Sequence, residues 1–135
     1  MSDWNTQVIT EFRANGGKVA QFGDAPLVIL HAIGANSGAV YETPLVALLD
    51  GERMVLFASK AGAAKHPGWH HNLKANPRID VEFGTERFEV DVTEIYGEDR
   101  DRCFADQVAL MPQFGEYVTK AAPRVIPVLA MSRVG

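Results

Sequence analysis

The residues best suited to chemistry gather between positions 58 and 77. They fall in three runs: Ala58-Ser59-Lys60-Ala61-Gly62, Lys65-His66-Pro67-Gly68-Trp69 and Asn72-Leu73-Lys74-Ala75-Asn76-Pro77. Residues 53–79 contain no Asp or Glu, yet they hold Arg53, Lys60, Lys65, Lys74 and Arg78. The whole chain has 17 acidic and 13 basic residues and a formal net charge of −4, so this stretch is a positive island on an acidic protein. Ammonium groups beside a glycine-containing loop that enters a helix suit a small anionic ligand, because loop amides and the helix N-terminus also attract negative charge. The plainer alternative is a solvated lysine face.

The other reactive residue types carry less. His66, His70 and His71 include an i, i+4 pair of the kind that can share a metal, but no carboxylate or cysteine stands near them in sequence, and no metal site is expected. His31, inside an apolar run, reads as a hydrogen-bonded interior residue. Cys103 is the only cysteine, which excludes an intrachain disulfide and a thiolate zinc cluster; it reads as a small packing residue.

The elements that must position these groups follow from periodicity. Residues 2–15 form an amphipathic helix, capped by Ser2 or Asp3, with Trp4, Val8, Ile9 and Phe12 on one face and Gly16-Gly17 as its stop. That stripe packs on the body of the protein or touches a membrane surface or a partner. The run from Pro26 to Ile33 is a central strand. A second strand spans residues 41–49, where Pro44 points to an edge, and Asp50-Gly51 turns the chain back into a strand over 53–59. Pro67 opens a short helix that Pro77 closes. Ile79, Val81 and Phe83, then Phe88, Val90 and Val92, alternate with polar residues around a turn at Gly84-Thr85, giving a hairpin with one wet face. Helices follow over 97–110 and 113–120, and residues 125–131 make a last strand whose Pro127 again suggests an edge. About six mostly antiparallel strands with helices at three places predict an α+β fold, a small β-barrel. It occupies 26–132 behind an N-terminal helix over 1–17, in one domain of 1–135.

Length and composition narrow the function classes. At 135 residues and 47% hydrophobic, the chain can bury a real core. No run is long enough to span a bilayer, the start does not read as a signal peptide, and the acidic balance argues against nucleic acid; a cytoplasmic protein is expected.

The three runs around residues 58–77, with Gly34…Gly38…Pro44-Leu45 upstream and Arg124-Val125-Ile126-Pro127 downstream, resemble the deazaflavin-dependent nitroreductase family of actinobacteria, over roughly residues 27–131. The resemblance implies a split β-barrel like that of FMN-binding flavoreductases. It also implies coenzyme F420, a deazaflavin with an anionic tail, with FMN as the alternative cofactor. On matching positions it places Ser59, Lys60, Ala61, Gly62, Lys65, Trp69, Asn72, Asn36, Ser37 and Pro44 at the cofactor. It places Met111, Phe114, Tyr117 and Tyr41 at the substrate pocket; the candidate proton donors for the reduced acceptor are Tyr117, Ser59 and solvent. Two departures stand out. The family's Gly-Arg-Lys-Ser/Thr-Gly is Gly34-Ala35-Asn36-Ser37-Gly38 here, with Tyr41 where a further arginine is expected. Met111 and Phe114 occupy positions that carry tyrosine in nitroreductases, which favours flat hydrophobic acceptors. The implied activity is hydride transfer from reduced F420 to a quinone, enone or nitroaromatic small molecule, by a monomer or homodimer. A non-catalytic carrier of F420, flavin, haem or fatty acid on the same barrel is the other reading.

Overall fold

The structure, a computed structural model, describes residues 3–134. The side chains of Asp3 and Ala61 lie outside what is described, as does Ser2, so the expected N-terminal cap does too. In chain order the elements are α1 (Asp3–Ala14), β1 (Leu27–Ile33), β2 (Val40–Val46), β3 (Leu48–Asp50), β4 (Arg53–Phe57), α2 (Gly68–Ala75), β5 (Arg78–Phe83), β6 (Glu86–Ile95), α3 (Gly97–Leu110), α4 (Gln113–Ala121) and β7 (Val128–Arg133).

All seven strands join one antiparallel sheet in the order β2-β1-β5-β6-β7-β4-β3. Its two edges, β2 and β3, are separated in the chain by Ala47 alone. A sheet whose opposite edges are joined by one residue must curl until they meet, and the result is a half-barrel. The strand expected over 41–49 is therefore two strands, and the count is seven. Ala47 donates its N–H to the Pro26 carbonyl at 2.9 Å, anchoring the crossing. Pro44 lies in edge strand β2, opposite Ile29, where a missing donor is tolerated. The edge expectation for Pro127 is corrected: β7 begins at Val128 and lies inside the sheet, between β6 and β4. Pro127 precedes the strand and contributes only a carbonyl, which accepts the Ala58 N–H at 2.9 Å.

Strand periodicity explains why β1 and β4 are apolar throughout. Val28 and Leu30 on β1, with Met54 and Leu56 on β4, point inward to a core shared with Val81, Val90, Met131 and Leu73 of α2. Leu27 and Ile29 point outward under α1, where Val8, Ile9 and Phe12 cover them. Val55 and Phe57 point outward under α3 and α4, against Phe104 and Phe114. Both faces of these strands are buried, so alternation vanishes. The hairpin β5–β6 keeps one wet face and alternates as expected.

The stripe on α1 is thus internal, which removes the membrane-facing alternative for it: only Trp4 of that stripe remains about half exposed. No helix among the described residues is long and apolar enough to cross a membrane. Cys103 is fully buried beneath α3, and burial pushes its thiol pKa up, as a packing role requires.

Candidate functional site

A cleft of about 630 Å³ opens where four elements meet. One wall is β2, through Thr43, Pro44, Leu45 and Val46; another is Ser59 and Lys60, just after β4. Pro67 and Trp69 at the head of α2 form the third, and Met111, Phe114 and Tyr117 around the α3–α4 junction form the fourth. Phe57 lies at its base in edge-to-face contact with Phe114 at 5.8 Å, and Phe114 meets Tyr117 at 5.1 Å. Trp4 of α1 lines the same cleft and stacks edge-on against Phe22 at 6.2 Å.

The loop that carries Ser59 and Lys60 is held from behind. Lys60 to Gly62 forms a single 3-10 turn with Lys60 at φ 48° and Gly62 at φ 82°. A Cβ on Gly62 would come within 2.6 Å of Lys120 Cβ on α4, so both the backbone angle and the close packing require glycine. The Arg124 guanidinium donates to the carbonyls of Ala58 at 2.9 Å, Ser59 at 2.7 Å and Ala63 at 3.0 Å. It also faces His66 Nδ1 at 2.9 Å, and since a guanidinium only donates, that nitrogen accepts. Burial, and then the Arg124 charge, hold the His66 pKa below its ordinary value. Arg124 stood in the downstream motif without a role; the structure makes it the clamp of the loop.

The expected site residues divide. Ser59, Lys60, Trp69, Pro44, Met111, Phe114 and Tyr117 all line the cleft. Neither Ser59 Oγ nor the Tyr117 hydroxyl has a hydrogen-bond partner among the described residues. Asn36, Ser37, Lys65, Asn72, Gly62 and Tyr41 are not among the residues that line it. Asn72 Oδ1 instead accepts the Ala35 N–H at 3.1 Å, tying α2 to the β1–β2 turn, and Asn76 Nδ2 adds a bond to the Ile33 carbonyl at 3.2 Å. Ser37 Oγ accepts the Ala39 N–H at 3.1 Å within that turn. Tyr41, expected at the substrate pocket, is not among the residues that line this cleft. Its ring lies against Gly34, where an added Cβ would meet Tyr41 Cε2 at 2.9 Å, and it lines an adjoining hollow with His31 and Glu42 that shares Asn5 and Thr43 with the cleft.

The positive island is smaller than the sequence suggests. Arg53 pairs with Asp50 at 2.8 Å and Asp99 at 2.6 Å, and Arg78 pairs with Asp91 at 2.8 Å. Lys60, Lys65 and Lys74 are exposed and have no carboxylate partner among the described residues. The histidines form a ring cluster, with centroids 4.8 Å apart for His66–His70 and 5.7 Å for His70–His71. Buried His70 faces Glu94 at 3.4 Å through Nε2 and leaves Nδ1 without a partner, and burial lowers its pKa. His31 is an interior residue as read, with Nε2 2.7 Å from Glu82 Oε2. Two groups of potential metal ligands do converge: His31, Glu42 and Glu82, and Asp50, Asp99 and Cys103. Guanidinium groups already span both: Arg13 bonds Glu42 and Glu82, and Arg53 bonds Asp50 and Asp99.

Residues 4–132 match the family described as F420H(2)-dependent quinone reductase. The chain belongs to that family. A Mycobacterium tuberculosis protein named as an F420H(2)-dependent quinone reductase is 31% identical over 126 residues, covering 90% of this chain and 85% of its own length. Among solved structures, an F420-H2 dependent reductase (FDR-A) superposes with a TM-score of 0.72 at 34% identity, covering 79% of this chain and 94% of that one. A second structure, described as a domain-swapped dimer, gives 0.74 at 32% identity over 96% of this chain and 98% of its own. A heme storage protein of Vibrio cholerae shares the fold alone, at 14% identity and a TM-score of 0.61.

Membership makes the chain an oxidoreductase with coenzyme F420 as cofactor, on the split-barrel fold of its structural relatives; the storage reading is not favoured. The residues present fit that group. The cleft is of a size that ligand sites of about 300–1,000 Å³ have, its walls are apolar and aromatic, and an unpaired ammonium stands at its edge.

Proposed function

We propose that this quinone reductase family member binds F420 across the cleft between the Ser59–Gly62 loop and α2 and reduces a flat hydrophobic acceptor, a quinone first, against Met111, Phe114 and Tyr117. The observation that carries the reading is one cavity that combines an unpaired cation, Lys60, with an apolar and aromatic lining that includes Pro44, Phe57, Trp69 and Phe114. The bound deazaflavin supplies the hydride.

The chain supplies position and charge. Lys60 holds the anionic tail, with Lys65 and Lys74 adding field at longer range. Asn36 and Ser37 are left as hydrogen-bonding groups on a turn that has lost the family's cations. Trp69 gives the ring a flat face, and Gly62 and Arg124 keep the loop open to it. Ser59 Oγ or the Tyr117 hydroxyl gives a proton to the reduced acceptor; both side chains belong to the cleft and are not committed elsewhere. Apolar walls keep water from the reacting atoms. The enzyme acts in the cytoplasm on small molecules, as a monomer or homodimer.

Titrating F420 while following the fluorescence of Trp4 and Trp69, both in the cleft, tests the reading. Micromolar binding that weakens with added salt, and F420H2-dependent bleaching of a naphthoquinone, are expected. No fluorescence change up to millimolar F420 refutes it.

A further inference from the structure

Arg124 grips the chain at four acceptors, which fall at the two ends of one stretch. Nη1 donates to the Ala58 carbonyl at 2.9 Å and Nη2 to the Ser59 carbonyl at 2.7 Å, where the chain leaves β4. Nε donates to the Ala63 carbonyl at 3.0 Å, and Nη1 donates again to His66 Nδ1 at 2.9 Å, where the chain enters α2. Ser59 and Lys60 form one wall of the cleft, and Pro67 and Trp69 form another. One guanidinium is therefore bonded to the backbone of the first wall and to the side chain that immediately precedes the second. This cross-brace sets the width between the two walls.

Three of the four arms are carbonyls, which do not change with pH. His66 is the exception. Both hydrogens of Nη1 are spent, on Ala58 and on His66, so the His66 ring must present a lone pair at Nδ1 and carry its own hydrogen on Nε2. A proton added at Nδ1 removes the acceptor and sets an imidazolium against a guanidinium. Most charges around the ring have the same sign: Arg124 behind it and His71 and Lys74 on α2, with Glu94 on β6 opposing them. The His70 ring of α2 also packs there, its centroid 4.8 Å away. Burial, and then the Arg124 charge, keep the His66 pKa below its ordinary 6.5, so the ring is neutral at neutral pH.

Resting on the reading that F420 lies between the Ser59–Gly62 loop and α2, we propose that His66 is a positioning residue of that site: its neutral ring holds the α2 wall to Arg124 at the width the deazaflavin needs, and a proton on Nδ1 lets the walls part. His66 does not line the cleft, so it acts through the brace and not by touching the cofactor. A group whose folded-state pKa is depressed gives its full contribution above the unfolded value and loses it as pH falls through the folded one. Affinity for F420 is therefore whole above about pH 6.5 and declines below it.

The test measures the F420 dissociation constant by fluorescence from pH 7.5 to 4.5 for the full chain and two variants. Asparagine places Oδ1 where Nδ1 stands and accepts the same bond, but it does not titrate; leucine offers no acceptor. Wild-type affinity should drop about tenfold more over this range than that of His66→Asn, and the two should match at pH 7.5. His66→Leu should bind about tenfold more weakly than wild type at pH 7.5 and share the shallow profile of His66→Asn. Titration of the cofactor's own groups is common to all three proteins and cancels in the comparison. Without cofactor, the Ser59, Lys60 and Trp69 amide NMR signals should move with the His66 ring signals as pH falls, and stay in place in His66→Asn. Identical pH profiles for wild type and His66→Asn, or His66→Leu binding as tightly as wild type at pH 7.5, overturn the proposal. If none of the three binds F420, the proposed function falls and the amide signals alone decide the brace: movement coupled to His66 upholds it, and stillness refutes it.

Discussion

Lys60 joins a backbone anomaly to a place in the cleft lining. It is the only residue other than glycine with positive φ among the described residues, and it stands exposed at the cleft edge. Such a conformation costs about 1–2 kcal/mol and persists only where the surroundings impose it, here the Arg124 clamp and the tight Gly62 contact. Lys60→Ala is expected to weaken F420 roughly ten- to a hundredfold, the worth of one charge-assisted contact, with little change in melting temperature. Equal affinity for both proteins, measured by fluorescence titration, would remove Lys60 from the site. Arg124 separates charge from shape. Arg124→Ala strands loop carbonyls that include the fully buried Ala58, at about 1–3 kcal/mol for each buried group left unpaired, and F420 binding should fall although Arg124 does not line the cleft. Arg124→Lys keeps the charge but not the planar fork, so most of the loss should remain. Full rescue by lysine would mean that charge, not loop geometry, is what Arg124 provides.

At the scale of elements, the site depends on α4 pressing against the Lys60–Gly62 turn. Gly62→Ala combines a left-handed backbone with a Cβ placed 2.6 Å from Lys120 Cβ, whereas Gly51→Ala, at φ 61° in the β3–β4 turn, meets nothing within 4 Å. Both should lose about 1–2 kcal/mol from backbone strain. Gly62→Ala should lose more and should also weaken F420, and thermal melts of the two variants isolate the packing part. Similar losses in both would show that α4 yields easily. The apolar runs of β1 and β4 announced burial, but which face met α1 and which met α3 and α4 depended on the order of strands in the sheet.

For the whole molecule, the tie between α1 and the sheet is electrostatic as well as apolar. Arg13 bonds Glu82 on β5 and Glu42 on β2, and His31 bonds Glu82 from β1. The Arg13 hydrogen bonds, then the His31 bond, pull the Glu82 pKa from 4.5 down to about 2. A carboxyl with a depressed folded-state pKa adds stability that is complete above its unfolded value and disappears as pH falls through its folded value. This contribution is therefore whole above about pH 4.5 and lost between there and about pH 2. Asp50, held from 3.8 down to about 2 by Arg102 and Arg53, fades over nearly the same window. Urea midpoints taken from pH 6 to pH 2.5 should fall in the wild type. They should fall less steeply in Glu82→Gln, which should start about 1–3 kcal/mol less stable at neutral pH. Parallel slopes for the two proteins would exclude Glu82 as a source of the acid sensitivity.

Local spacing by itself determined most of the elements, because helix and strand periods and Gly/Pro punctuation act over a few residues. Helix α3 begins at Gly97 and strand β1 ends at Ile33, as read. The loop and helix motif over residues 58–77 identified the family, since its glycine, lysine and prolines are set by local backbone demands. Only the tertiary structure decided the rest. It divided the strand over 41–49 at Ala47, placed β7 inside the sheet, paired Arg53 with Asp99 and Arg78 with Asp91, left Tyr41 out of the cleft lining and brought Arg124 behind the loop. The place of β7, the Arg53–Asp99 pair and the Arg124 clamp bring together residues far apart in the chain, and no local pattern encodes how the curled sheet does so.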